Sequence, residues 1–285
     1  MDRRILSLLL SVTLSSCSSL LYHPDSVRYL EKEHISPQPE DLNFLSHDGK
    51  NLHAWLFKNS AQKKAKAVVV FFHGNAQNLR THFSSIFWIL KSGYDFVIFD
   101  YQGYGESQGK ATPQNTVKDG VVTLKYVKSL YPNTPLVVFG QSLGTVVASR
   151  VVFESHAEIP IKLMILDSAF SSYQNAGQDV LSRTWLTWPF QWLPYLLLSD
   201  KWASHSKIKD FPNVPAVFIH GTKDQVIEFS RGKKFYEKYP AAKLFIEVEK
   251  ARHIESLHRS EKLRTKIIEI LDNPNVIQGS AILKY

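Results

Sequence analysis

After about residue 41, short apolar runs alternate with longer amphipathic stretches, and a hairpin of Leu42–Leu45 and Leu52–Phe57 opens the series. Continuous apolar runs of this length are typical of strands buried on both faces. The runs are Ala67–Phe72, Phe96–Phe99, Leu136–Phe139, Leu163–Leu166, Ala216–Ile219 and Leu244–Val248. The amphipathic stretches predict helices at roughly 77–91, 115–130, 143–154, 228–238 and 259–271. The alternation predicts an α/β fold whose mostly parallel central sheet is covered by helices on both faces.

One interval, between residues 167 and 215, interrupts this alternation because it contains no strand candidate. Pro189 and Pro194 prevent a single long helix there. Four of the six tryptophans fall within it, namely Trp185, Trp188, Trp192 and Trp202. We expect a helical cap insertion at about 170–212, in which Trp185, Trp188 and Trp192 wall a substrate pocket. The alternative is that the rings pack the inserted helices onto the body of the protein.

The N-terminus has the pattern of a targeting segment. A basic start, Asp-Arg-Arg at residues 2–4, precedes the apolar stretch Ile5–Leu14, which is shorter than the roughly 20 residues that span a bilayer. This pattern predicts a secretory signal peptide. The following Leu14-Ser15-Ser16-Cys17 resembles the lipobox of bacterial lipoproteins, a family in which the cysteine is lipidated and becomes the first mature residue. The alternative is an ordinary signal peptide with an incidental cysteine.

The chain is accordingly divided into a signal peptide at 1–16, a proline-containing tether at 17–40 and one domain at 41–285 that includes the cap. The lipobox resemblance implies a lipid-anchored protein of the bacterial cell envelope. Ser18 rather than aspartate follows the cysteine, which by the same resemblance favours the outer membrane if the cell is Gram-negative.

Composition and charge narrow the function classes. With 44% hydrophobic and 21% charged residues in 285, the chain is globular rather than disordered or polytopic in a membrane. The net charge of +8 fits a protein near anionic lipid. Its lysines and arginines are scattered and form no basic stripe, which argues against a nucleic-acid partner. The single cysteine excludes a disulfide framework and a cysteine-based zinc site.

The strongest chemical signal is Gly140-Gln141-Ser142-Leu143-Gly144, which lies between a predicted strand and a predicted helix. This context is typical of a nucleophile elbow, a sharp turn that raises the serine hydroxyl above the sheet. We therefore predict Ser142 as the nucleophile. The backbone N–H of Leu143 and that of Asn75, in the loop after the third strand, are the predicted oxyanion donors.

A serine hydroxyl needs a base, and the base needs an orienting carboxylate. His253 follows the last predicted strand and is the predicted base, with His258 in reserve; the plain alternative is a surface-loop histidine. Asp224 follows the strand Ala216–Ile219 and is the predicted acid. Asp167, which follows the preceding strand, is its rival.

Together these motifs identify a resemblance to the serine α/β-hydrolases, and within them to the α/β-hydrolase-domain depalmitoylases and their bacterial relatives. The motifs that carry it are His73-Gly74-Asn75, Asp100-Tyr101-Gln102-Gly103-Tyr104-Gly105-Glu106-Ser107, the elbow, and His220-Gly221 with Asp224. The chain departs from the pattern at Thr145 and Arg252, where relatives often have glycine.

The resemblance implies an α/β-hydrolase fold and a hydrolase that acts on a small-molecule or lipid-like acyl ester without a metal or other cofactor. The same machinery could act on thioesters, such as protein-bound palmitate. A function of another class, a non-catalytic lipoprotein binding module, is the third alternative. The sequence does not specify the acyl group or the oligomeric state.

Overall fold

Nine strands form one sheet in the computed structural model, which describes residues 21–61, 64–277 and 279–285. Their order across the sheet is β1-β2-β4-β3-β5-β6-β7-β8-β9. The strands are β1 Glu40–Leu45, β2 Asn51–Phe57, β3 Val68–Phe72, β4 Asp95–Phe99, β5 Leu136–Gln141, β6 Ile161–Asp167, β7 Ala216–Gly221, β8 Lys243–Val248 and β9 Ser280–Lys284. β2 pairs antiparallel with β1 and β4, and every other pairing is parallel. The predicted α/β fold class is confirmed.

Eight α-helices and six short 3₁₀ segments connect the strands in the described residues. The helices are α1 Leu79–His82, α2 Pro113–Leu130, α3 Leu143–Ser155, α4 Tyr173–Ser182, α5 Leu193–Leu197, α6 Phe229–Lys238, α7 Ser256–Arg259 and α8 Glu261–Asp272. The 3₁₀ segments are Lys32–His34, Phe83–Ser85, Phe87–Ser92, Trp188–Phe190, Ser204–Asp210 and Pro274–Val276. No helix in these ranges is both long enough and apolar enough to cross a bilayer.

The core occupies both faces of the sheet. In β3, Val68, Val70 and Phe72 point into one apolar cluster, and Val69 and Phe71 point into the other. Successive side chains of a strand face opposite sides, so a strand buried on both faces requires an unbroken apolar run. This requirement explains the continuous runs in the sequence.

The register of the parallel strands brings three loop regions to one edge. Gln141 at the end of β5 is paired with Asp167 at the end of β6, and Asp167 is paired with Ile219 near the end of β7. Since parallel strands run in the same direction, the residues after each strand meet at this carboxyl edge. Ser142 and Asp224 both follow strands that end there.

Two elements differ from the predictions. The predicted helix at 77–91 is a single α-turn followed by 3₁₀ segments, and there the Ser84 hydroxyl donates to the carbonyl of Thr81. Serine side chains compete in this way with regular helical hydrogen bonding. β9 was not predicted, because it is an edge strand with mostly exposed side chains and therefore lacks an apolar run. Its strand conformation depends on parallel pairing with β8, which a local sequence pattern does not reveal.

The segment predicted as a tether is packed against the body from residue 21 onward. Tyr22 is 5% exposed, and its hydroxyl lies 2.7 Å from the Tyr173 hydroxyl and 3.2 Å from that of Thr116. Arg80 also donates to the carbonyl of Leu30. Residues 21–40 therefore differ from the expected free linker. The predicted signal peptide and Cys17 lie outside the described residues.

Candidate active site

Ser142 occupies a sharp turn between β5 and α3. Its φ of 54° and ψ of −119° belong to a sparsely populated backbone region, which is typical of strained functional turns. Gly144 makes this turn feasible, because a Cβ there would lie 1.9 Å from the main-chain oxygen of Phe72. The Ser142 side chain does not cap α3, so its hydroxyl is available to another partner.

That partner is His253. Its Nε2 lies 2.9 Å from Ser142 Oγ, and its Nδ1 lies 2.8 Å from Oδ2 and 3.0 Å from Oδ1 of Asp224. An ionised carboxylate only accepts hydrogen bonds. The proton of a neutral imidazole therefore sits on Nδ1, which leaves Nε2 free to accept the serine proton. The structure thus joins three predicted side chains in one hydrogen-bonded line.

Asp224 is held as a carboxylate by its surroundings. Its Oδ1 accepts main-chain N–H groups of Val226 at 2.8 Å and Ile227 at 2.9 Å. Burial on its own would raise the pKa of Asp224, but hydrogen bonds from His220, His253 and the Ile227 N–H together lower the pKa well below its usual range. His220 is buried, and its Nε2 also lies 3.0 Å from the Ile227 carbonyl, so it braces the Asp224 loop.

Asp167, the rival acid, lies at the same edge without a hydrogen bond to His253. Its Oδ2 accepts from Gln141 Nε2 at 3.1 Å, and its Oδ1 is buried without a hydrogen-bond partner. Burial raises the pKa of Asp167 to about 6. Its main-chain oxygen accepts the Ser142 N–H at 2.9 Å. The geometry favours Asp224 as the partner of the histidine.

His258, the reserve base, is directed elsewhere. It belongs to α7, is exposed, and lines a surface cavity together with Trp88 and Ile268. The hydrogen bond between His253 and Ser142 therefore favours His253 as the base.

The loop that carries the predicted oxyanion donor lies beside Ser142. A Cβ on Gly74 would be 3.6 Å from the Ser142 Cβ, which places the next residue, Asn75, at the site. Leu143 is the first residue of α3, where main-chain N–H groups have no partner within the helix. Both predicted donors therefore border the nucleophile.

Sequence reasoning missed what holds this loop in place. The Asn75 side chain accepts from the His23 N–H at 2.8 Å and from the Tyr104 hydroxyl at 2.8 Å, and it donates to the Leu21 carbonyl at 2.6 Å. Two of these partners belong to the segment predicted as a tether. The signal available in the sequence was Tyr22, which lies between these two partners, because an aromatic side chain would have no packing role in a free linker.

Thr145, where relatives often have glycine, takes part in the elbow. Its hydroxyl donates to the Ser142 carbonyl at 2.6 Å and lies 3.3 Å from the Phe170 N–H, which donates to it. The residue therefore links the turn to the loop after β6. Arg252, the other departure, is exposed.

The predicted cap region is helical and irregular, with α4, the segment Trp188–Phe190, α5 and the segment Ser204–Asp210. Trp185, Trp188 and Trp192 are 87%, 61% and 56% exposed. Such exposure does not support the expectation that these rings wall an enclosed pocket. Trp202 is half-buried and packs near the Arg150 guanidinium, 5.4 Å from its ring centre.

Comparison with known proteins gives the family. A family model described as Hydrolase_4, serine aminopeptidase S33, matches residues 63–211, which is more than half of the chain. The chain belongs to this family. It is therefore a serine hydrolase, and the match includes the elbow at Ser142.

The chain is also similar to individual known proteins. The protein YfhR of Salmonella typhi is 28% identical over 244 residues, covering 79% of this chain and 77% of the relative. The lysophosphatidylserine lipase ABHD12 of Xenopus tropicalis is 30% identical over 224 residues, covering 72% of this chain and 58% of the lipase.

Two solved structures show the same fold. A Pyrococcus furiosus esterase superimposes with a TM-score of 0.68 at 20% identity, covering 88% of this chain and 97% of the esterase. A carboxyl esterase from Bacillus coagulans gives a TM-score of 0.61 at 17% identity, covering 84% and 98%. The predicted α/β-hydrolase fold is confirmed.

Proposed function

We propose that the chain is a membrane-anchored serine hydrolase that cleaves carboxylic esters through an acyl-enzyme on Ser142. The observation that carries the proposal is the continuous line from Ser142 Oγ through His253 to Asp224, with contacts of 2.9 Å and 2.8 Å. The names of similar proteins, a lysophosphatidylserine lipase and two esterases, support an ester as the bond that is cleaved.

In the first half of the reaction, Ser142 Oγ attacks the ester carbonyl carbon while His253 Nε2 accepts the hydroxyl proton. Asp224 stabilises the imidazolium that forms. The carbonyl oxygen becomes an oxyanion, which the N–H groups of Leu143 and Asn75 stabilise, each worth about 3–4 kcal/mol. Collapse breaks the bond to the alcohol oxygen, which takes the proton from His253 and leaves the acyl group on Ser142.

In the second half, a water molecule gives a proton to His253 and attacks the acyl carbon. The new tetrahedral intermediate collapses, the carboxylic acid leaves, and the proton returns to Ser142 Oγ. The two halves together consume one ester and one water molecule and release the alcohol and the carboxylic acid. A thioester would follow the same steps with a thiol as the leaving group, and the resemblance to depalmitoylases supports it as a second candidate.

The anchoring part of the proposal rests on Leu14-Ser15-Ser16-Cys17. Signal peptidase cleavage before Cys17 and acylation of its thiol and new N-terminus would supply several acyl chains, and more than one chain is needed for stable anchoring. Cys17→Ser should leave the protein as an unprocessed precursor or release it from the membrane fraction, as judged by fractionation and intact mass. An unmodified mature N-terminus at another position would refute the anchor.

Activity is tested with the full chain in detergent. Ser142 should be labelled by a fluorophosphonate probe, and the protein should hydrolyse short p-nitrophenyl esters; Ser142→Ala should abolish both. His253→Ala should suppress both strongly because the serine loses its base, whereas His258→Ala is the matched control and should retain activity. A folded wild-type protein without labelling would favour the binding-module alternative. The rates of hydrolysis of matched oxygen esters and thioesters would distinguish the two hydrolase candidates.

A further inference from the structure

The segment from residue 185 to residue 196, here named the cap face, exposes an unusual amount of apolar surface. Six of its side chains are more than half exposed: Trp185, Leu186, Trp188, Phe190, Trp192 and Leu196. Among the large hydrophobic side chains in the rest of the described ranges, only those of Val27, Leu45 and Val180 are more than half exposed. Large exposed apolar patches mark interaction sites, so the cap face needs a partner.

The composition of the cap face favours lipid as that partner. Residues 184–199 contain no charged side chain, and three of the exposed residues are tryptophans. Indole rings combine a large apolar surface with one N–H donor, and they are enriched where a membrane meets water. After removal of the predicted signal peptide the chain still has a net positive charge, which adds attraction toward anionic headgroups.

The start of the described chain lies beside the beginning of α4, here named the base of the cap. The Tyr22 hydroxyl bonds at 2.7 Å to that of Tyr173, the first residue of α4, which leads into the cap face. Cys17 lies four positions before Leu21, a span of at most about 14 Å when fully extended. An anchor at Cys17 would therefore hold the membrane close to the base of the cap.

The loop after β3 that contains Gly74 and Asn75, here named the oxyanion loop, also lies near Leu21, because the Asn75 side chain donates to the Leu21 carbonyl. Gly74 in this loop is a neighbour of Ser142. A bilayer held near Leu21 is thus near the nucleophile as well.

We propose that the cap face docks into the headgroup region of an anionic bilayer, so that Ser142 receives lipid-like esters directly from the membrane. The orientation rests on the anchoring in the proposed function, whereas contact between the tryptophans and lipid does not depend on catalysis.

The test uses the full chain in vesicles of phosphatidylglycerol and phosphatidylcholine with brominated acyl chains, which quench nearby indoles. Quenching should remove about half of the tryptophan emission, since three of the six tryptophans lie in the cap face while Trp55 is buried and Trp88 and Trp202 are half-buried. The variant Trp185→Ser/Trp188→Ser/Trp192→Ser should lose most of this quenching. The control Leu45→Ser/Leu130→Ser/Val276→Ser removes exposed apolar side chains elsewhere and should keep it.

Vesicle-bound wild-type protein that is not quenched would overturn the proposal, and this measurement needs no variant to fold. The proposal is also wrong if sedimentation shows a wild-type dimer that the cap variant converts to a monomer, because the cap face is then an interface between copies. Fluorophosphonate labelling of the same samples reports catalysis separately. Labelling without quenching refutes only docking, and quenching without labelling refutes only the hydrolase.

Discussion

Replacing Asp224 by asparagine should lower kcat by about 10⁴-fold, equivalent to about 5 kcal/mol of transition-state stabilisation. The substitution keeps the shape of the side chain and removes its charge. The outcome depends on which atom of the new amide faces His253, and the surroundings of Asp224 determine this orientation.

Oδ1 of Asp224 accepts two main-chain N–H groups, from Val226 and Ile227. Only the oxygen of an amide can accept them, so the NH₂ group takes the position of Oδ2, 2.8 Å from His253 Nδ1. Because that NH₂ group donates, the shorter of the two contacts to His253 favours Nδ1 as the acceptor, and the imidazole proton then moves to Nε2. Nε2 then presents N–H to Ser142 Oγ at 2.9 Å and no longer serves as a base.

The assay is the steady-state hydrolysis of a p-nitrophenyl ester, with the rate of fluorophosphonate labelling as a second readout. A cooperative thermal unfolding transition would show that the variant is folded. Asp167→Asn is the matched control, since it makes the same change at the same sheet edge without contacting His253, and it should cost less than about tenfold. If instead Asp167→Asn abolishes activity and Asp224→Asn retains it, the acid lies on β6 and the tautomer argument fails.

Two further predictions concern stability. Gly144→Ala should destabilise the fold by at least about 3 kcal/mol, because the added Cβ would lie 1.9 Å from the Phe72 main-chain oxygen. The control Gly49→Ala places its Cβ in open space at φ 78° and should cost only about 1 kcal/mol. Equal urea midpoints for the two variants would contradict this prediction. Burial raises the pKa of Asp167 to about 6, so the wild type loses stability as the pH rises through that value. The free energy of unfolding of Asp167→Asn, relative to the wild type, should therefore rise by up to about 3 kcal/mol between about pH 4 and pH 8, and a pH-independent difference would refute the burial argument.

The sequence predicted the parts of the site that depend on local order along the chain. Ser142 is recognisable from flanking glycines, and Asp224 and His253 are recognisable because each follows a predicted strand. A parallel sheet converts that shared position into proximity, since all such strand ends meet at one edge. The two main core layers were predictable for the same reason, as each strand buried on both faces has to be continuously apolar.

The parts that were missed depend on contacts between distant residues. β9 has mostly exposed side chains and owes its conformation to pairing with β8. The tryptophans of the cap were expected to line a pocket because an aromatic, proline-interrupted insertion was predicted over the carboxyl edge of the sheet, whereas Trp185 is 87% exposed. Amino-acid type predicts burial only on average, and the proline-interrupted cap has no periodicity that would reveal which side faces inward.

The segment at residues 21–23 links these observations. Asn75 is positioned by the Leu21 carbonyl and the His23 N–H, while Tyr22 between them bonds to Tyr173 at the start of α4. Three consecutive residues thus connect the predicted oxyanion loop to the base of the cap. Cys17 precedes Leu21 by only four positions in the sequence. A displacement of an anchored N-terminus would therefore act on both the predicted oxyanion loop and the base of the cap. If the chain is anchored at Cys17 as proposed, its active site would be held near the membrane, within the reach of the few residues that precede Leu21.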